Sequence, residues 1–300
     1  MLSGLAISPA RIACVILMLC PFLVSACATP KGRISEASST QISRLEQIAL
    51  TKYAQQDYDV ARRILTQALA QTPDSARLHF HRALCHTQLK QNAKALKDYD
   101  RALDIDPQMV PALVNKAKLL LELDNSAQAV DILHRAERLD PEDSRIAFNL
   151  GQALTREGDL KQALDAFSAA IELDPYMPEA FNSRGVVRLR LGRDQDALKD
   201  FSQAAMLQGD VPLYQFNRGL ARQGLREYDG ALADYSRALR LNTSYIPALY
   251  NRGLLYFNLG QKQKACADLS RACELGGPCT RYEQLLKHGE CHKIEIPAYE

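Results

Sequence analysis

Residues 144–177 read SRIAFNLGQALTREGDLKQALDAFSAAIELDPYM. Ile146, Leu150 and Leu154 recur at helical spacing through the first half. Gly158 and Asp159 interrupt that pattern. A second apolar stripe follows at Leu160, Ala163, Leu164, Phe167, Ala170 and Ile171. Asp174 and Pro175 end it, because proline disfavours helix in the residue before it and has no N–H to donate. The stretch is therefore predicted to be two short helices joined by a tight turn.

The same unit recurs on both sides. Ala61, Ala95, Ala129, Ala163, Ala197, Ala231 and Ala265 stand 34 residues apart, and so do Ala68, Ala102, Ala136, Ala170, Ala204, Ala238 and Ala272. A third row is always small: Ala49, Ala83, Ala117, Gly151, Gly185, Gly219 and Gly253. Small residues at fixed points let two helices cross closely. Seven copies follow, at 42–75, 76–109, 110–143, 144–177, 178–211, 212–245 and 246–279. Pro73, Pro107, Pro141 and Pro175 close four of them, while Pro111, Pro178, Pro212 and Pro247 open first helices, where a missing N–H costs nothing. A stack of such units buries one continuous core and works through the surface it presents.

The charge balance narrows the function. Net charge is +2 with both signs spread along the chain, which argues against a nucleic-acid protein or a polybasic membrane surface. No HExxH, GxSxG, Walker loop or paired-carboxylate arrangement is present, so no enzyme, cofactor or metal site is expected. His79, His81 and His86 cluster on one helix and are read as packing or groove residues rather than metal ligands.

Residues 1–26 differ from the rest. Arg11 is followed by an apolar run from Ile12 to Val24, short for a membrane span and suited to a signal-peptide core. Leu23, Val24, Ser25, Ala26 and Cys27 resemble a bacterial lipobox. That resemblance implies cleavage before Cys27 and lipid attachment to its thiol. Ala28 rather than Asp follows, which in Gram-negative lipoproteins implies the periplasmic face of the outer membrane. Residues 27–41 then read as the lipidated N-terminus and a flexible tether, reaching at most ~50 Å.

The 34-residue helix–turn–helix unit resembles the tetratricopeptide (TPR) repeat. The resemblance implies an all-α, right-handed superhelical solenoid of seven repeats over 42–279. The family's aromatic or large residue at the twenty-fourth position stands here as Leu65, Tyr99, Leu133, Phe167, Phe201, Tyr235 and Leu269. Its fourth-position Trp never appears, since the chain holds no Trp. In the family the first helices line a concave groove through positions 2, 5, 6, 9, 12 and 13. Those positions make Phe80, His81, Asn115, Phe148, Asn149, Asn182, Phe216, Asn217, Tyr250, Asn251 and Phe257 the candidate peptide groove. Amides can bond a peptide backbone while rings bury its side chains. No three consecutive repeats carry the family's carboxylate clamp, which disfavours capture of an acidic C-terminus.

The register also exposes a charge pairing. Arg82, Arg184, Arg218 and Arg252 at the seventh position coincide with Asp98, Asp200, Asp234 and Asp268 at the twenty-third, predicting four ion pairs. Ile48 with Ile64 and Leu150 with Ala166 substitute apolar contacts, and Lys116 with Ile132 is the mismatch, with Asp131 adjacent. Five cysteines follow Cys27. Cys266 and Cys273 are too far apart on one helix to bond, at about 10 Å along the axis. A final antiparallel helix over 280–291, with a tail at 292–300, predicts Cys273–Cys279 and Cys266–Cys291 bonds stapling a cap. A zinc site using His292 is the rival, with spacings that match no common pattern. Cys85 reads as a buried apolar residue.

The expected function is a non-catalytic scaffold, lipid-anchored at the outer membrane. It would bind envelope proteins or extended peptides in the groove, with self-association left open and no nucleic-acid partner. Peptidoglycan enzyme or protease adaptor and pilus or secretin assembly factor are the two readings. An envelope enzyme or carbohydrate-binding protein using the groove is the alternative from another class.

Overall fold

The computed structural model describes residues 36–291. The leader, Cys27 and the tail at 292–300 lie outside the described residues. Within them the chain is entirely helical, as fourteen paired helices and one cap. The first helices of the repeats are α1 (Glu36–Ala54), α3 (Ala76–Gln88), α5 (Val110–Glu122), α7 (Ser144–Glu157), α9 (Pro178–Arg190), α11 (Pro212–Gly224) and α13 (Ile246–Asn258). The second helices are α2 (Tyr58–Gln71), α4 (Asn92–Ile105), α6 (Ser126–Leu139), α8 (Leu160–Leu173), α10 (Asp194–Leu207), α12 (Tyr228–Leu241) and α14 (Lys262–Glu274), and α15 (Thr280–Lys287) closes the stack.

Each turn within a repeat uses the same backbone device. The fifteenth residue of every unit is left-handed: Gln56, Lys90, Asp124 and Arg226 at φ of 56–65°, and Gly158, Gly192 and Gly260 at φ of 70–89°. A left-handed residue just after a helix turns the chain back and lets the last carbonyls find donors. Asp159 then caps α8 by accepting from the Gln162 N–H.

Close crossing of the two helices rests on a matched pair at positions 8 and 24. A Cβ added at Gly151, Gly185 or Gly219 would sit 2.7 Å from the ring of Phe167, Phe201 or Tyr235. Ala49 and Ala117 stand with Leu65 and Leu133, Ala83 stands with Tyr99, and Gly253 meets Leu269. All of these small and large residues are buried. The core is therefore a series of apolar clusters strung along the solenoid, the largest running from Ala83 to Val187.

Consecutive first helices touch one another (α1 with α3, α3 with α5, α5 with α7, α7 with α9, α9 with α11). Consecutive second helices make no comparable contact among the described residues. The first helices therefore line the inner face, and the second helices splay along the outer one.

Two expected boundaries shift. Helix α1 begins at Glu36, inside the stretch assigned to the tether at 27–41. No Gly or Pro occurs between residues 33 and 41, so nothing stops the first helix from extending backward. The capping helix, expected over 280–291, ends at Lys287, and Gly289 at φ 68° turns residues 288–291 back onto α14.

Candidate functional site

The position-7 and position-23 residues meet between the two helices of a repeat. Arg82 grips Asp98 with two donors at 2.7 Å each, and Arg184, Arg218 and Arg252 reach Asp200, Asp234 and Asp268 at 2.5–3.1 Å. These carboxylates are nearly inaccessible, Asp234 at 3% exposure. Position 11 adds a second cation that the sequence reading overlooked: Arg188 reaches Asp200 at 2.7 Å and Arg222 reaches Asp234 at 2.8 Å. In the second repeat position 11 holds His86, 3.7 Å from Asp98, and His79 at position 4 adds a second imidazole 3.3 Å away. Both imidazoles are buried packing groups.

Position 7 also binds repeats together. Arg184 donates to Ser168 at 3.0 Å and Arg252 to Ser236 at 2.9 Å, each the twenty-fifth residue of the preceding unit. This explains the Lys116 mismatch. Lys116 does not seek Asp131; it pairs at 2.5 Å with Asp100, again the twenty-fifth residue of the unit before.

The candidate groove splits into two populations. The aromatic row packs against the core while Phe80, Phe148 and Tyr250 stay partly exposed. Phe148 rests on Phe167 at 5.8 Å between centroids, Phe80 on Tyr99 at 6.3 Å, and Phe216 lies between Tyr235 and Tyr245, 5.7 Å from each. Phe216 is 9% exposed. Rings at the fifth position fill the space over the large twenty-fourth residue, which the missing fourth-position Trp leaves short of apolar mass. Tyr250 packs against the second-last core layer, and Phe257 lies under Arg281 of the cap, 4.5 Å from its ring centre.

The amides do several jobs. Asn115 and Asn251 donate to the carbonyls of Pro111 and Pro247 one turn back, at 2.8 and 2.9 Å. The Asn217 amide donates to the Asn182 oxygen at 2.7 Å, joining the sixth position of one repeat to the fifth of the repeat before. His81 and Glu46 make the equivalent junction at 3.2 Å, where Arg77 also reaches Glu46 at 2.6 Å. Asn149 sits opposite Val114 in this register, and its Nδ2 is buried without a partner.

The middle of the inner face holds a cavity with several unpartnered polar groups. This cavity of about 210 Å³ lies between α7 and α9, lined by Gln152, Thr155, Arg156, Phe167, Asn182, Ser183 and Val186. The Gln152 and Ser183 side chains and the Asn182 amide nitrogen have no hydrogen-bond partner among the described residues. Arg156 is fixed by one donor on the Leu121 carbonyl at 2.6 Å, and Arg190 caps the Thr155 carbonyl in the same way at 3.2 Å. An Arg on the last carbonyls of the preceding helix is favourable there. Its remaining N–H groups stay available. The thirteenth position carried this signal, since Arg appears there only at Arg156 and Arg190.

Models described as tetratricopeptide repeat match residues 47–110, 114–178, 162–211 and 246–275, and one described as TPR repeat matches 227–260. The chain belongs to the tetratricopeptide repeat family. Its TPR solenoid is similar to PilF of Pseudomonas aeruginosa, with TM-score 0.63 and 20% identity, covering 71% of this chain and 97% of that one. It is also similar to YrrB, titled a TPR protein with an unusual peptide-binding site, with TM-score 0.52 and 20% identity, covering 64% of this chain and 97% of that one. A curated relative, the SGT1 homolog of Oryza sativa subsp. japonica, is 31% identical over 81 residues, 27% of this chain. The match spans 22% of that relative's length.

At the C-terminal end of the TPR stack the structure joins Cys266 to Cys291, with Cα atoms 5.6 Å apart, and Cys273 to Cys279, 4.7 Å apart. Tyr282 and Leu285 cover Leu269, with Leu254 and Phe257 at the margin. Cys85 is a free, fully buried thiol whose pKa burial pushes up to about 11, leaving it a poor nucleophile. Among the described residues no three His, Cys, Asp or Glu converge as metal ligands, and no helix is long and apolar enough to cross a membrane.

Proposed function

We propose that this TPR protein is a non-catalytic adaptor that binds an extended peptide segment of a protein partner across the central inner face. TPR repeats act as scaffolds for protein–protein contact, and the chain has that architecture. The observation that carries the finer reading is the cavity between α7 and α9. Gln152, Ser183 and the Asn182 amide line it without internal partners, beside an Arg156 held in place by its neighbour repeat. Unpaired amides and a hydroxyl suit the alternating donors and acceptors of a peptide backbone. The peptide-binding site named for YrrB supports the same use of the fold.

The lipobox-like residues 23–27 support the second half of the proposal: Cys27 carries a lipid that holds the stack at the periplasmic face of the outer membrane, with envelope proteins as partners. A photo-crosslinking residue at Gln152 in the full chain should trap one defined protein from intact cells, and the same residue at Asp165 on the outer face should not. Equal yields of that protein from both positions would sink the groove assignment. Cys27→Ala should release the protein from the membrane fraction, and unchanged fractionation would sink the anchor.

A further inference from the structure

The outer face repeats as regularly as the inner one. Between successive second helices lies a groove floored by the intervening first helix. Positions 7, 11, 19, 22 and 23 of one repeat face positions 21 and 25 of the repeat before it. Between the third and fourth repeats this groove holds Leu150, Leu154, Gln162, Asp165 and Ala166 in those places, with His134 and Glu137, 3.2 Å apart, opposite. Between the first and second repeats the same places hold Arg82, His86, Lys94, Lys97 and Asp98 around a cavity of about 320 Å³, with Arg62 opposite.

Three features make this groove basic, and Arg62 together with the Lys94–Lys97 pair sets it apart, since position 19 is also lysine, Lys264, in the last repeat. Arg62 occupies position 21, which is apolar in the six other units, from Leu96 to Cys266. Lys94 stands in the first turn of α4, where the positive end of the helix dipole disfavours a cation unless negative charge is close. Neither Lys94 nor Lys97 has an acidic partner among the described residues. The only carboxylate lining the cavity, Asp98, is engaged by both arms of Arg82 at 2.7 Å. Asp59 outside it holds Arg62 at 2.7 Å and Arg63 at 3.1 Å. Charge in the groove is thus positive beyond what the chain neutralises.

We propose that the outer groove between the first two repeats is an anion site for a phosphate-bearing ligand. Its cations arrive from three helices: Arg62 on α2, Arg82 on α3, Lys94 and Lys97 on α4. Convergence from several directions suits the tetrahedral oxygens of a phosphate. A planar carboxylate is satisfied by one Arg fork. The phosphate can come from a free phosphorylated solute or from a phospholipid headgroup.

Calorimetric titration of the full chain in uncharged detergent tests this, with inorganic pyrophosphate in one arm and short-chain phosphatidylglycerol in the other. Saturable binding of at least one probe is expected, falling with added salt. Lys94→Gln with Lys97→Gln should weaken it about tenfold, with an unchanged melting curve, while Lys161→Gln leaves it unaltered. Pyrophosphate alone assigns a free solute, the lipid alone a headgroup, and both together the shared phosphate. Absence of saturable binding in both arms, or a double variant that binds as well as the parent, overturns the proposal.

Discussion

A single left-handed residue per repeat sets the turn, and its identity varies more than its geometry. Lys90 and Arg226 adopt φ of 56° and 62° although they carry a Cβ. That conformation costs a non-glycine residue roughly 1 kcal/mol at a helix end. Lys90→Gly and Arg226→Gly should each raise stability by up to about 1 kcal/mol, and Gly158→Ala should lower it by a similar amount; urea midpoints report all three. The buried carboxylates make a second set. Asp234 holds Arg218 and Arg222, whereas Asp268 holds Arg252 alone. Removing one partner of a fully buried pair costs about 3–5 kcal/mol, and these guanidinium groups are partly exposed, so Asp234→Ala should cost somewhat less. It should still cost more than Asp268→Ala, and a double-mutant cycle on Arg218 and Asp234 should show coupling clearly above zero. The four Arg–Asp pairs were legible in the sequence because both partners keep a strict period. The second cations at Arg188 and Arg222 share that period, but position 11 also holds Leu and Tyr, which masked them. The packing of the aromatic row on the twenty-fourth residues was not legible for a related reason: periodicity places residues on a face without saying what lies over that face.

At the level of the helix pair, the eighth and twenty-fourth positions pack directly against each other, with glycine under the ring in three repeats, although Ala83 stands with Tyr99 and Gly253 with Leu269. Gly151 meets Phe167, while Ala117 meets Leu133. Gly151→Ala should therefore cost about 1–3 kcal/mol through overpacking. Adding Phe167→Leu should recover part of that loss, because it restores the pairing of the third repeat; thermal melts of the two variants decide it. Helix α3 makes a different prediction. His81 and His86 both have pKa values lowered from the ordinary imidazole range, burial being the main cause. Opposing this, Glu46 and Asp98 favour the charged forms, while Arg77, Arg82 and Arg62 disfavour them. The unfolded chain then binds more protons at these sites than the folded one. Stability is full above the unfolded value of about 6.5 and declines as pH falls below it. His86→Gln should flatten that decline in a pH series of denaturation midpoints, and an unchanged slope would count against the linkage. Helix boundaries were less legible than helix identity. The start of α1 and the end of α15 both moved, since neither end carries a proline to fix it.

Across the whole molecule, stability is close to a sum over neighbouring repeats. The seven-repeat register was readable from three rows of small residues, because helix crossing tolerates nothing larger there. Of the residues lining the cavity between α7 and α9, Asn182 was readable, while Gln152, Arg156 and Ser183 were not, because they stand at positions the repeat leaves free to vary. The cap should matter only locally. Reducing the Cys266–Cys291 bond, with a sequence separation of 25, should cost roughly 3 kcal/mol. Hydrogen exchange should then quicken in α13 to α15 and stay unchanged in α3 to α6. The stapled end has a further consequence for how the intact chain is dismantled. With its C-terminal layer cross-linked, the solenoid should erode from the opposite end. A protease should leave a nested ladder of fragments about one repeat apart, all sharing the terminus that the two disulfides guard.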